Sequence, residues 1–274
     1  MHSRQSLTRV CLARLAWLAC FGVALSLLGG CSTWVPAPSV PTPTTEAASQ
    51  AWSRVLETYV NEHGEVNFAG LMRDRADLDL VVRHVADTPL ASLPDGPQRM
   101  AHMINAYNAL SMFNVLQSGI PASHAGWNKV TFFVLRKMDI GGQAMSLYSF
   151  ENEVIRPDAR SRNDPRIHFA LNCSAVACPV LPRRPFTAAG LDAELEHETR
   201  AFFARPENYR VDASKRTLWI SQLLEFYAED FVPGAAPSLL AYANGYAPQP
   251  APPDYELRFT PYDWTIANSS RRVR

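Results

Sequence analysis

The densest run of chemically capable side chains lies between Asp164 and Pro179, reading Asp-Pro-Arg-Ile-His-Phe-Ala-Leu-Asn-Cys-Ser-Ala-Val-Ala-Cys-Pro. Taken as a buried strand over Arg166–Leu171, the segment puts His168, Ala170 and Asn172 on one face and delivers Cys173 to the following loop. Three chemistries compete there. Cys173 and Cys178 can close the short loop as a disulfide, which the chain-entropy argument credits with about 2 kcal/mol. Cys173 can serve as a thiolate nucleophile, with His168 as its base and an asparagine orienting the imidazole. His168, Cys173 and Cys178 can also hold zinc with a distant fourth ligand. A Cys-x4-Cys pair is not a zinc or thiol–disulfide exchange signature, so the disulfide leads and no metal is expected.

A second polar cluster interrupts an apolar helix pattern. Asn105 and Asn108 fall three apart on one helical face, with Asn114 farther along. Asparagine is a poor helix former, and a buried amide must find partners for its donors and its acceptor. The pair either lines a polar site with His168, Asn172 and Cys173 or ties loops to the helix. A third cluster, Tyr262-Asp263-Trp264-Thr265-Ile266-Ala267-Asn268, either completes that site or pins the end of the chain into the core.

The elements that must position these groups follow from hydrophobic periodicity. Trp52, Val55, Leu56, Tyr59 and Val60 mark one helical face, and further helices are expected over 71–86 and 97–118. The last of these, ended by Gly119-Ile120-Pro121, is the expected central helix. Val130–Leu135 is β-branched and aromatic and reads as a strand. A hairpin turns at Gly141-Gly142, and a second pairs Tyr209–Asp212 with Thr217–Ile220. Shorter helices are expected over 149–155, 187–204, 221–228 and 236–244. The fold class is α+β: a mostly helical single domain with a small antiparallel sheet.

The N-terminus reads as an export signal. Arg4, Arg9 and Arg14 precede an apolar run over 15–28 that falls short of the roughly 20 residues of a membrane-spanning helix. It ends at Leu28-Gly29-Gly30-Cys31, which resembles the lipobox of bacterial lipoproteins and implies lipidation of Cys31. Ser32 follows, without the aspartate associated with inner-membrane retention, so the likeness implies the periplasmic face of the outer membrane. Each acyl methylene adds about 0.8 kcal/mol, so two or three chains anchor stably. The expected organisation is a signal peptide over 1–30, a Pro/Thr/Ser-rich tether over 31–50, a globular domain over 51–268 and a tail over 269–274. Prolines 36, 38, 41 and 43 favour an extended tether.

Composition narrows the partners. The chain has 26 basic and 26 acidic residues and a formal net charge of zero. With no basic stripe, a nucleic-acid partner is not expected. No phosphate-binding glycine loop or nucleotide fingerprint occurs, and no cofactor is expected. The expected partners are the membrane, through the lipid anchor, and a small molecule, a peptide or an envelope protein.

Together these residues resemble the bacterial and plant family called domain of unknown function 547. The resemblance is carried by Asn105-Ala106-Tyr107-Asn108-Ala109, Gly119-Ile120-Pro121 and the block from Asp164 to Cys173 with Cys178-Pro179. Phe226-Tyr227, Asp230-Phe231 and the terminal Tyr-Asp-Trp add to it. The helix ending in Gly-Ile-Pro, followed by strands and a histidine, is also similar to a transglutaminase- or papain-like core, although Asn105 stands where those folds carry cysteine. Two functions are compatible with this reading. One is a hydrolase or transferase acting on an amide or peptide through an Asn/His/Cys pocket. The other is a non-catalytic binding or scaffolding lipoprotein with a structural Cys173–Cys178 disulfide.

Overall fold

The computed structural model describes residues 32–269. The segment expected as an export signal and the lipidation expected at Cys31 fall outside the described residues, and residues 34–269 belong to one compact unit. Strand β1 (Thr33–Val35) is followed by helices α1 (Thr45–Tyr59), α2 (Phe68–Arg73), α3 (Ala76–Asp87) and α4 (Pro97–Gln117). Helix α1 starts where the Thr44 side chain accepts from Ala47 N at 3.2 Å, a conventional N-cap. It buries Ala48, Ala51, Trp52, Val55 and Leu56. Part of the stretch expected as a tether is thus helical, and another part lies along the domain. Trp34 Nε1 donates to Asp139 Oδ1 at 3.2 Å, the Thr42 hydroxyl bonds Asp87, and Val35 is buried.

The helix expected over 71–86 is two helices. Asn67 caps α2 by accepting from Gly70 N at 2.9 Å, and non-helical backbone at Asp74 (φ −137°, ψ 85°) ends it. Helix α4 runs as expected and is buried around nearly its whole circumference from Met100 to Leu116. Proline at its first position suits the fixed φ of that residue. At its far end Gly119 (φ +72°) and Ile120 (φ +54°) turn the chain. Their amides return to the carbonyls of Leu116 and Val115, both at 3.0 Å, satisfying acceptors the helix leaves open.

Val130–Leu135 is not a strand. Helix α5 (Trp127–Val130) continues through a π-helical turn at Thr131–Leu135. Tertiary packing outweighs β propensity here. The Phe132 ring packs at a tilt of 43° against His124 with centroids 3.9 Å apart, and its carbonyl accepts from Asn114 Nδ2 at 2.8 Å. The first hairpin forms as expected, with β2 (Arg136–Ile140) antiparallel to β3 (Gln143–Met145). Helix α6 (Leu147–Ser149) runs on through a second π-helical turn, Phe150–Ile155, into α7 (Arg156–Ser161).

The strand expected over Arg166–Leu171 is a 3₁₀ turn, Pro165–Phe169. Asp164 accepts from Arg166 N at 3.2 Å, and Pro165 occupies the first helical position, a pairing that starts helices rather than strands. The alternation that would have aligned His168 with Asn172 is therefore absent. Helix α8 (Leu191–Phe203) precedes the second hairpin, β4 (Tyr209–Asp212) with β5 (Thr217–Ser221). Helices α9 (Leu223–Phe226), α10 (Ala228–Phe231) and α11 (Leu239–Tyr246) then lead to β6 (Glu256–Thr260). Strand β6 pairs parallel with β5, so the second sheet is mixed rather than purely antiparallel.

The result is an α+β fold, about 49% helical, with two three-stranded sheets in the orders β1-β2-β3 and β4-β5-β6. One core surrounds α4. A second is built on Phe169, Phe202, Phe203, Phe231 and Tyr242. These small sheets lend no support to a transglutaminase- or papain-like core. Among the described residues no helix is long and apolar enough to cross a membrane.

Candidate functional site

Where α4, α5, the two π-helical turns and the C-terminal segment converge, they enclose a cleft of about 440 Å³. Its walls are aromatic: Phe133, Tyr148, Phe226, Tyr227, Tyr262 and Trp264. Val130, Val134, Tyr148 and Phe226 are exposed at its sides. The polar groups of the cleft lie deeper. The Tyr107 hydroxyl, from the middle of α4, donates to Glu151 Oε2 at 2.8 Å, and the Tyr227 hydroxyl faces the same carboxylate. Burial, reinforced by the Glu151 charge, pushes both tyrosines well above their ordinary range, so both remain neutral donors.

His168 lines the cleft with its ring stacked on Tyr227, centroids 4.1 Å apart. Its Nε2 lies 2.7 Å from Asp230 Oδ2, and the same oxygen accepts from Arg156 Nε at 2.7 Å. Arg156 also pairs with Glu229 at 2.8 Å and stands over the Tyr227 ring at 5.0 Å. Helix α10 thus locks the histidine, while the 3₁₀ turn at 165–169 presents it.

Cys173 and Cys178 form a disulfide, and both residues line the cleft. Tyr262 Oη donates to Cys178 Sγ at 3.1 Å. A disulfide carries no thiolate, so the nucleophile reading finds no free sulfur at Cys173. Among the described residues no group of three or more His, Cys, Asp and Glu side chains is placed to hold a metal ion.

The amides point elsewhere. Asn105 accepts from Trp52 Nε1 at 3.1 Å and from Phe186 N at 3.0 Å, and donates to Phe186 O at 2.8 Å. Asn108 donates to Ala170 O at 2.9 Å and accepts from Asn172 N at 2.7 Å. Asn172 bonds Pro179 O and Ser174 N, both at 2.7 Å. Asn105 and Asn108 bind loops to α4, Asn172 ties its own loop together, and none of the three lines the cleft. Of the five residues expected in a polar site, His168 and Cys173 reach the cleft.

Spacing alone did not identify the other members. Tyr107 lies between the two asparagines in sequence, and its hydroxyl reaches Glu151 in the cleft. Glu151 and Arg156 sit on a helical segment whose acidic composition, Glu151-Asn152-Glu153, reads as a solvated face. Lys129 lies with its Nζ 3.9 Å from the Trp264 ring centroid and 5.4 Å from that of Phe226, and burial lowers its pKa. The terminal cluster pins the chain end into the core, and its two aromatics, but neither Asp263 nor Asn268, reach the cleft. Backbone bonds from His124 to Trp264, Val176 to Thr265 and Ala267 to Ser174 thread the chain end into the fold. Tyr262 and Trp264 meanwhile become cleft wall.

Under this wall His124 Nε2 lies 2.9 Å from the Cys173 carbonyl. Burial pushes the His124 pKa down to about 4, so the neutral ring donates through Nε2–H.

No curated protein and no solved structure matches this chain. Residues 90–203, which carry Tyr107, Lys129, Glu151, Arg156, His168 and the disulfide, match the model of the family described as Protein of unknown function, DUF547, and over that stretch the chain is similar to it.

Proposed function

We propose that the chain is a lipid-anchored envelope protein whose domain binds a ligand in the aromatic cleft, with Cys173–Cys178 as a structural staple. The observation that carries this reading is the cleft itself, an aromatic concavity closed at depth by a few convergent polar groups, as small-ligand sites generally are. The thiol and amides that a catalytic pocket would need are engaged in a disulfide and in loop-binding hydrogen bonds. The anchor reading rests on the sequence Leu28-Gly29-Gly30-Cys31 followed by Ser32, and places the domain on the periplasmic face of the outer membrane.

Two experiments test the two halves. Binding of the neutral apolar dye N-phenyl-1-naphthylamine to the purified protein should raise its fluorescence, and Trp264→Ala should reduce that binding several-fold. Equal binding by the variant would show that the cleft is not the site. Metabolic labelling with radioactive palmitate should mark the wild type and leave Cys31→Ser unlabelled. Label retained by the variant would reject the anchor.

A second reading is favoured by one contact, the 2.7 Å approach of His168 to Asp230 beside the cleft. A histidine oriented by a carboxylate can act as a general base in hydrolysis or transfer at an amide or peptide. That reading requires turnover of a peptide or amide that His168→Gln abolishes while dye binding persists.

A further inference from the structure

The deep end of the cleft holds a carboxyl group, Glu151, that has no ion-pair partner among the described residues. Glu151 is 5% exposed and lines the cleft. Arg156, the guanidinium nearest in sequence, directs its N–H groups to Asp230, Glu229 and Asn152. Among the described residues none forms an ion pair with Glu151. A carboxylate offers about four acceptor positions. Tyr107 occupies one and Tyr227 faces another, both with neutral hydroxyls. A buried carboxyl group whose donors are neutral hydroxyls keeps acceptor positions for an incoming cation that carries N–H groups.

The walls offer the other half of a cation site. Aromatic faces carry negative charge density that attracts ammonium groups. Lys129 shows that this wall does so, because its own ammonium rests on Trp264.

We propose that the cleft takes an organic primary ammonium, with its N–H groups on Glu151 and its apolar substituent against Trp264 and Phe226. The open carboxylate positions call for N–H donors, which a quaternary ammonium lacks. The inference rests on the cleft-binding reading and adds the class of ligand. Lys129 is then a rival cation on the same wall.

The test is calorimetric titration of the purified full chain with 2-phenylethylammonium chloride and, separately, with the neutral 2-phenylethanol. The ammonium should bind at least ten-fold more tightly. Glu151→Gln should bring the two affinities together, and Lys129→Met should raise the ammonium's affinity several-fold. Should Glu151→Gln fail to fold, Glu151→Asp replaces it, since the shorter arm withdraws the charge and should narrow the same ratio. Equal affinities in the wild type, or a ratio unchanged by the Glu151 variant, would overturn the ammonium assignment while leaving the cleft as a binding site. No binding of either compound, together with no dye binding, would overturn both.

Discussion

The Tyr107 hydroxyl donates to Glu151 Oε2 at 2.8 Å across a separation of 44 residues, with both groups buried. It joins the central helix to the π-helical turn that forms the depth of the cleft. Removing the donor leaves a buried acceptor short of a partner, which costs about 1–3 kcal/mol. Tyr107→Phe should lower unfolding stability by that amount in urea denaturation. An unchanged midpoint would show that the bond contributes nothing net.

His168, Arg156 and Asp230 share one carboxylate oxygen, and the Asp230 side chain is 4% exposed. Deleting one member of a buried ion pair costs more than the pair is worth, here because Arg156 is left with a largely exposed carboxylate partner, Glu229. Asp230→Ala should therefore destabilise by about 3 kcal/mol. Arg156→Met combined with Asp230→Ala should cost less than the two single changes added together. Strict additivity in a double-mutant cycle would remove the coupling.

The disulfide is testable by alkylation. In the unfolded, unreduced protein Cys173 and Cys178 should resist iodoacetamide, and after reduction both should react. Cys173→Ser with Cys178→Ser should lower stability by about 2 kcal/mol in urea denaturation. A free and reactive Cys173 in the isolated protein would return the thiol nucleophile to consideration.

Acid should weaken the fold through two histidines. Burial pushes His102 and His124 down to about 4, against 6.5 when exposed. Above pH 6.5 neither state takes a proton at these rings. As pH falls from 6.5 towards 4, the unfolded chain binds protons that the folded chain refuses, and stability is lost. The loss approaches about 1.4 kcal/mol per pH unit for each ring. His124→Gln, neutral throughout and still able to donate to the Cys173 carbonyl, should flatten the slope of melting temperature between pH 6.5 and 4. A slope as steep as the wild type's would assign the acid sensitivity elsewhere.

Patterns read over a few residues carried much of the architecture. Helix α4 was legible because its apolar run is long and its end is marked by Gly119 and Pro121. Both hairpins were legible because alternation and turn residues are local properties. The segments 130–135 and 166–171 misled for a shared reason. Each is a short apolar run, which suits a buried strand and a buried helical turn equally, and packing decided between them. Phe132 turns in to His124 and Asn114, and Asp164-Pro165 starts a helical turn. Strand β6 escaped notice because its partner β5 lies some 40 residues earlier in the chain.

The same division runs through the site. Sequence alone singled out His168, the Cys173–Cys178 pair and the asparagines, since their types and spacings are visible in one dimension. It also supplied the lipobox-like Cys31 and the expectation of an anchor. Only the tertiary structure decided that Asn105, Asn108 and Asn172 bind loops while Tyr107, Glu151, Arg156, Tyr227 and Trp264 make the cleft. Side-chain chemistry is written residue by residue, but burial is not. An acidic residue on an amphipathic helix becomes a buried one only when distant elements close over it, as Tyr107 and Tyr227 do over Glu151.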